Sequence, residues 1–384
     1  MTKTRNDNQR QTEPPRNRKL SILFTVLFFL LLLLPAFTMN TESDVISELD
    51  NRPLAELPDS LNTTLPRQIN QYIDDRIGFR IPMIDVYTNT MANLLGEITV
   101  PDYIRGEEDM LFRAFATGET SEEFLDIYTD FLSRLHEYAA SQNVTFYYML
   151  NPLKQAVYRD SLPADSPYNP ATADYLRQRL DLLNIPYYDA ETDLKEAAAE
   201  GLQVYNKRYD PIHWNDHGAF IAARGILSEL QLLHPDLVVP ELSDYRISQE
   251  HQQYLAQSRL EINEDVPSYA LADPNFENLT ADYRPQLELH PNHGAFMYAD
   301  TRPGTAPEDG TDLLVFYDSY YISREKFWLG SPNSLAMIHV YQNLINAERY
   351  IEMFKPDVIV VTGVEMSING DYFDAEAMEA KVFE

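Results

Sequence analysis

LLVFYDSYY, Leu313 to Tyr321, is the stretch whose reading decides the fold. Five apolar residues run on without a polar interruption and stop at Asp318-Ser319. A continuous apolar run rich in β-favouring residues is the pattern of a strand covered on both faces, as in a parallel sheet. A serine where such a strand ends stands on a turn that gives exposure and free backbone N–H groups, which a nucleophile needs. The same serine would also serve as a helix N-cap.

Outward from this stretch, strands and helices alternate. VTFYYML (Val144–Leu150) and DVIVVTGV (Asp357–Val364) are further continuous apolar runs, and IPYYDA (Ile185–Ala190) reads as a short strand. SEEFLDIYTDFLSRLHEYAASQN (Ser121–Asn143) reads as a helix with an apolar stripe, a capping Ser121, and Glu122 and Glu123 on its positive end. ADYLRQRLDLLN and HGAFIAARGILSEL read as helices, as do residues 67–98 and 335–354. This alternation predicts an α/β domain with a mainly parallel sheet. Residues 236–310 break the rhythm and are expected to be an insertion of loops and short antiparallel strands. Ligands of open α/β sheets bind beyond the carboxyl ends of the strands. That rule puts Asn151-Pro152, Asp318-Ser319 and Thr362 to Glu365 at one rim.

The amino end has a different character. Leu20 to Met39 carries no charge and has the length of about 20 residues that crosses a bilayer. Arg16, Arg18 and Lys19 precede it, which favours a cytoplasmic N-terminus. We read a basic tail over 1–19, a retained signal anchor over 20–39 in preference to a cleaved signal peptide, a stalk over 40–66, and an outside domain over 67–384.

Of 384 residues, 30 are Lys or Arg and 60 are Asp or Glu, a net charge of −30. The tail takes six of the basic and two of the acidic residues, leaving 24 and 58 for the rest. So acidic a body repels nucleic acid. Cysteine is absent, which excludes disulfides and thiolate metal sites. Neither a glycine-rich phosphate loop nor a nucleotide fingerprint occurs. The 25 tyrosines suit either a sugar-binding surface or half-buried packing.

YDPIHWNDHGAF, Tyr209 to Phe220, supplies a base for the serine. A base histidine needs a partner on its second ring nitrogen. Asp210 can fold back across Pro211 to reach His213. The bland reading of this stretch is a polar turn before a helix. His213 and His217 also have the spacing of two helix-borne metal ligands, but no Glu follows His213, so a metal site is not our reading. His290 and His293 form a second pair in a Pro-Asn loop, read as surface or substrate-side groups.

Seven stretches, in order, carry a resemblance: DNRPLAELP, YIDDRIGFR, GEEDMLF, NPLKQAVYRDSLP, HWNDHGA, LLVFYDSYY and FKPDVIVVTGVE. Together they resemble the alginate O-acetylation proteins J and X and the DHHW family of Gram-positive bacteria. The resemblance implies an SGNH-hydrolase-like three-layer α/β fold, with the Asp-His element placed before the serine. It implies acetyl transfer or removal on an extracellular polysaccharide, often beside a membrane-bound O-acyltransferase, without a cofactor. By position, Ser319 is the nucleophile, His213 the base and Asp210 the orienting acid. Lys154, Tyr158, Trp214 and Tyr321 are the candidates for touching substrate. Two departures stand out. Tyr317 replaces the usual Gly before Asp-Ser, and Asp210 and His213 are one residue further apart than in the family. Two rivals are a polysaccharide-binding or assembly protein with a degenerate site, and a metal-dependent deacetylase using Asp210, His213 and His217.

Overall fold

The computed structural model describes residues 18–43, 45–47, 52–58, 63–99, 103–114, 120–256, 258–303 and 310–383. Nearly all of the basic tail, and part of the expected stalk, lie outside them. The chain divides into two compact units, residues 1–99 with 257–260, and residues 100–256 with 261–384. The division between the two units falls near residue 100.

The first unit contains α1 (Arg18–Phe37), α2 (Leu65–Arg76) and α3 (Arg80–Thr90), the last followed by a π-helical turn, Met91–Leu95. The helix expected over 67–98 is thus broken. Phe79 takes a left-handed backbone (φ 60°) and Gly78 lies against the end of α1. A Cβ on Gly78 would come within 2.7 Å of the Thr38 carbonyl oxygen and 2.8 Å of that of Pro35, so only glycine fits. The segment read as a stalk is tied down where it is described. Arg52 pairs with both carboxylate oxygens of Asp75 at 2.7 and 2.8 Å, and buried Arg76 donates to the carbonyls of Ala55 and Glu42. A guanidinium with five donors satisfies several backbone carbonyls at once, which fixes this turn on α2.

In the second unit the strands are β1 (Tyr103–Arg105), β2 (Leu111–Arg113), β3 (Thr145–Leu150), β4 (Tyr187–Asp189), β5 (Tyr245–Tyr254), β6 (Glu261–Leu271), β7 (Glu277–Asn278), β8 (Phe296–Asp300), β9 (Leu313–Tyr317), β10 (Ser334–His339) and β11 (Val358–Gly363). The helices are α4 (Glu122–Ser141), α5 (Lys154–Val157), α6 (Ala171–Leu182), α7 (Glu191–Ala199), α8 (Asp216–Gln231), α9 (Thr280–Tyr283), α10 (Ala347–Phe354) and α11 (Ala375–Ala380). Seven strands form one sheet in the order β4-β3-β11-β9-β10-β8-β7. The five strands from β4 to β10 pair in parallel, while β8 and β7 join antiparallel at one edge.

The alternation of side chains sorts the core into two layers. Leu314, Phe316, Ala336, Ile338, Ile359 and Val361 pack on one face against α4, α6 and α10. Leu313, Val315, Leu335, Met337, Val358 and Val360 pack on the other against α8 and the segment around Trp214. A strand buried on both faces must be apolar throughout, which is why LLVFY reads as it does. Tyrosine serves this core: Tyr128, Tyr148, Tyr205, Tyr320, Tyr321 and Tyr350 are all fully buried.

Two expectations need correction. Residues 335–354 are not one helix, because SLAMIH is the interior strand β10 and only Ala347–Phe354 is α-helical. An apolar run of this length fits a buried strand and a buried helix equally well. The insertion at 236–310 is more regular than expected. It holds the long hairpin β5-β6 and then the two edge strands β7 and β8.

Candidate active site

The three rim segments meet. Strand register aligns the carboxyl ends of β3, β9 and β11, and polar bonds lock them together. The Asn151 N–H donates to the Gly363 carbonyl at 2.8 Å, and the Asp318 N–H to the Thr362 hydroxyl at 3.0 Å. Asn151 Nδ2 donates to both carboxylate oxygens of Asp318 at 3.1 and 3.0 Å. Asp318 also caps the short 3-10 turn Ser319–Tyr321 by accepting from the Tyr320 N–H. These bonds leave Ser319 partly exposed on a turn whose preceding residue cannot move.

The second loop is built to reach it. Asp210 Oδ1 accepts from the N–H groups of Ile212 and His213, both at 3.0 Å, which folds the aspartate back across Pro211. Its Oδ2 lies 2.9 Å from His213 Nδ1, and His213 Nε2 lies 3.1 Å from Ser319 Oγ. The side chains of Asp210 and His213 are both about a quarter exposed, at 23% and 25%. Lacing between the two loops holds this geometry. Trp214 Nε1 donates to the Tyr320 carbonyl at 2.8 Å, and the Tyr320 hydroxyl donates to the Ile212 carbonyl at 3.1 Å.

Electrostatics follows burial and bonding. Desolvation works to raise the Asp210 carboxyl, but the charge and hydrogen bonds of His213 and the Ile212 N–H outweigh it and hold the group down at about 2. It is therefore an anion across the ordinary pH range, as an orienting acid has to be. Burial pushes Asp318 up to about 6 against the bonds from Asn151 and Tyr320, and pushes Glu365 up to about 8. Glu365 sits at the same rim, beyond β11, and its Oε2 is buried without a hydrogen-bond partner.

Residues 104–289 match the family described as the SGNH hydrolase-like domain of acetyltransferase AlgX. This stretch of the chain is similar to that domain. The matched span includes Asp210 and His213, and Ser319 lies beyond it. Among solved structures, PatB1 of Bacillus cereus is 16% identical, with a TM-score of 0.55 over 71% of this chain and 98% of its own. That protein has also been solved with a sulfonyl adduct. A DHHW family protein of Eubacterium siraeum is 16% identical, with a TM-score of 0.51 over 74% of this chain and all of its own. The O-acetyltransferase domain of Pseudomonas putida AlgJ is 13% identical, with a TM-score of 0.49 over 73% and 100%. At these identities the PatB1 and DHHW likenesses speak for the fold. No curated protein matches the sequence.

Within the second unit, the residues we had marked for substrate contact are bonded or packed within the chain. Lys154, Trp214 and Tyr321 have no exposed surface. Lys154 Nζ donates to the carbonyls of Leu111, Asn206 and Lys207 at 2.6, 2.6 and 3.0 Å. Burial pulls this ammonium down to about 7, opposed by the charges of Asp210 and Glu264, and three carbonyl acceptors match the three N–H bonds of the protonated form. Tyr321 packs on Trp214 and Trp328, and the half-buried Tyr158 accepts the Val204 N–H at its hydroxyl. His217 turns away from His213 and bonds the Tyr269 hydroxyl at 2.8 Å. Among the described residues no group of three or more His, Asp or Glu side chains is arranged to hold a metal ion.

Two residues were missed. Glu264, on β6, accepts the consecutive N–H groups of Lys207, Arg208 and Tyr209 at 2.6, 2.7 and 2.8 Å, so its buried carboxylate grips the loop that leads to Asp210. Nothing in the sequence marks it. Tyr341 carries a hydroxyl that donates to Ser367 at 2.8 Å and also interacts with the Ser319 hydroxyl. It lies two residues past β10. Read as a strand, SLAMIH would have placed His339 and Tyr341 at the same rim by the rule that placed Ser319 there.

Proposed function

We propose that this chain is an extracytoplasmic serine-dependent O-acetyltransferase or acetylesterase acting on a cell-surface or exopolysaccharide. The observation that carries the reading is the unbroken hydrogen-bond chain from Ser319 Oγ through His213 to Asp210, at 3.1 and 2.9 Å. Hydrogen-bond reach between nucleophile and base is what a working site needs and what a decayed binding site has no reason to keep.

In this reading Ser319 Oγ attacks the carbonyl carbon of an acetyl donor while His213 Nε2 takes the hydroxyl proton. Ionised Asp210 holds the ring by Nδ1 and stabilises the imidazolium. The N–H of Ser319 and of a neighbouring rim residue are our candidates for the oxyanion. The tetrahedral intermediate collapses to acetyl-Ser319, and the leaving group departs with the proton from His213. A sugar hydroxyl, or water, then gives its proton to His213 and attacks the acetyl carbon, which restores Ser319.

The helix α1 is the one described segment long and apolar enough to span a membrane, and it is exposed along its length. With basic residues before it, we assign it as a single-pass signal anchor with a cytoplasmic N-terminus and the SGNH-like domain outside. A membrane-bound O-acyltransferase is the proposed source of acetyl groups.

Incubation with an activated acetyl ester should add one acetyl mass to a peptide containing Ser319, and Ser319→Ala should abolish both adduct and ester turnover. A sulfonyl fluoride offers a second trap, since PatB1 has been captured with a sulfonyl adduct. Full turnover by the alanine variant would refute the proposal.

A further inference from the structure

The helix α3 is built inside out for a helix in water. Its exposed stripe is Phe79, Met83, Val86 and Tyr87, continued by Leu94 on the π turn, with Val86 at 69% and Leu94 at 77% exposure. Three polar residues point the other way, while Thr90 shares the exposed face. Thr88 is buried, Asp85 pairs with both Arg259 donors at 2.5 and 2.9 Å, and the Asn89 amide donates to the Arg259 carbonyl. The spacing 79, 83, 86, 87, 94 keeps these apolar side chains on one face, where a water-facing helix carries polar ones. Phe79, Met83, Val86 and Tyr87, with Pro82, Thr90 and Met91, line one shallow groove. A contiguous apolar patch of this kind marks an interaction surface.

The position of α3 says what covers it. The Gly78 N–H donates to the Pro35 carbonyl at 2.9 Å, and the Asn40 N–H to the Arg76 carbonyl at 2.9 Å. The start of α3 therefore rests directly on the carboxyl end of α1. If α1 crosses the bilayer, that end is at its outer boundary. A helix of 11 residues is about 16 Å long and begins there with an apolar outer face. Tyr87 has the amphipathic ring favoured at membrane interfaces.

We propose that α3 and its π turn lie in the outer lipid–water interface, with the stripe Phe79, Met83, Val86, Tyr87 and Leu94 in lipid, so that the chain touches the membrane by a second element besides its anchor. This rests on reading α1 as membrane-spanning. Two contacts would restrict tumbling of the first unit about a single helix.

The absence of cysteine makes the test direct. Full-length chains carrying Val86→Cys, Leu27→Cys or Lys195→Cys are labelled with an environment-sensitive fluorophore and reconstituted, one per disc, in lipid nanodiscs. Lipids brominated near the headgroup or near the bilayer centre report depth, and aqueous iodide reports exposure. We expect strong quenching of the Val86 label by the shallow bromines and several-fold weaker quenching by iodide than at Lys195, with the Leu27 label quenched by the deep bromines. A Val86 label quenched by iodide as strongly as Lys195, while Leu27 is quenched by lipid, overturns the inference and leaves the anchor standing. A Leu27 label open to iodide overturns the anchor and the inference with it. A Val86 label shielded from both quenchers only when two chains share a disc assigns the stripe to a second copy instead.

Discussion

At the scale of single residues, the site depends on Asp210 staying charged while it bonds His213 Nδ1 at 2.9 Å. Asp210→Asn keeps the size of the side chain but offers a neutral partner that does not hold the required tautomer. By analogy with other triads, acetyl-ester turnover should fall by roughly 10³–10⁴-fold with little change in fold, measured by turnover alongside circular dichroism. Glu365 gives a second prediction. Its buried carboxyl is raised to about 8 from an ordinary value of 4.5. Between those values the unfolded chain releases the proton while the folded chain keeps it, so stability falls as pH rises and levels off above about 8. Glu365→Gln removes that slope. Thermal unfolding at pH 5, 7 and 9 should show the variant gaining on the parent by on the order of a few kcal/mol at the alkaline end. Parallel curves would show that Glu365 is ionised in the fold.

At the scale of elements, the loop that leads to Asp210 and His213 is held from both sides of its backbone. Lys154 on α5 takes the carbonyls of Asn206 and Lys207, and Glu264 on β6 takes the N–H groups of residues 207 to 209. Lys154 also takes the Leu111 carbonyl, which joins β2 to this loop. Lys154→Met fills the space but takes a donor from three carbonyls, of which only that of Lys207 keeps another, the Leu111 N–H. Each buried group left unsatisfied costs about 1–3 kcal/mol. We expect a loss of several kcal/mol in chemical unfolding and slower turnover, because the loop bearing Asp210 and His213 is no longer fixed. A stable variant with unchanged turnover would show that Glu264 suffices. The elements also mark where reading by pattern fails. LLVFY and DVIVV were legible as strands because Asp, Gly and Pro bound them. SLAMIHVYQNL was not, because nothing within it separates the strand from the helix that follows, and Tyr341 was lost from view with it.

At the scale of the whole molecule, charge is the dominant property. Beyond the tail the chain carries 24 basic and 58 acidic residues. Self-repulsion of this size destabilises the compact state, and salt screens it over about 8–10 Å at physiological strength. The unfolding temperature should therefore rise by several degrees between about 10 mM and 150 mM sodium chloride, read by scanning calorimetry; a flat response would mean that the carboxylates are well compensated by ion pairs.

The sequence by itself determined the class of the sheet, the apolar N-terminal helix and the three rim positions, because continuous burial, helix length and strand ends are local properties that a linear pattern records. It also named Ser319, His213 and Asp210, two of them three residues apart and the third more than a hundred residues away. Only the tertiary structure decided that the distant loops meet, since Trp214, Tyr320, Lys154 and Glu264 act through backbone groups that carry no sequence signature. It also decided that Lys154, Trp214 and Tyr321 are buried. A residue type states which bonds it can make, and packing alone selects the partner.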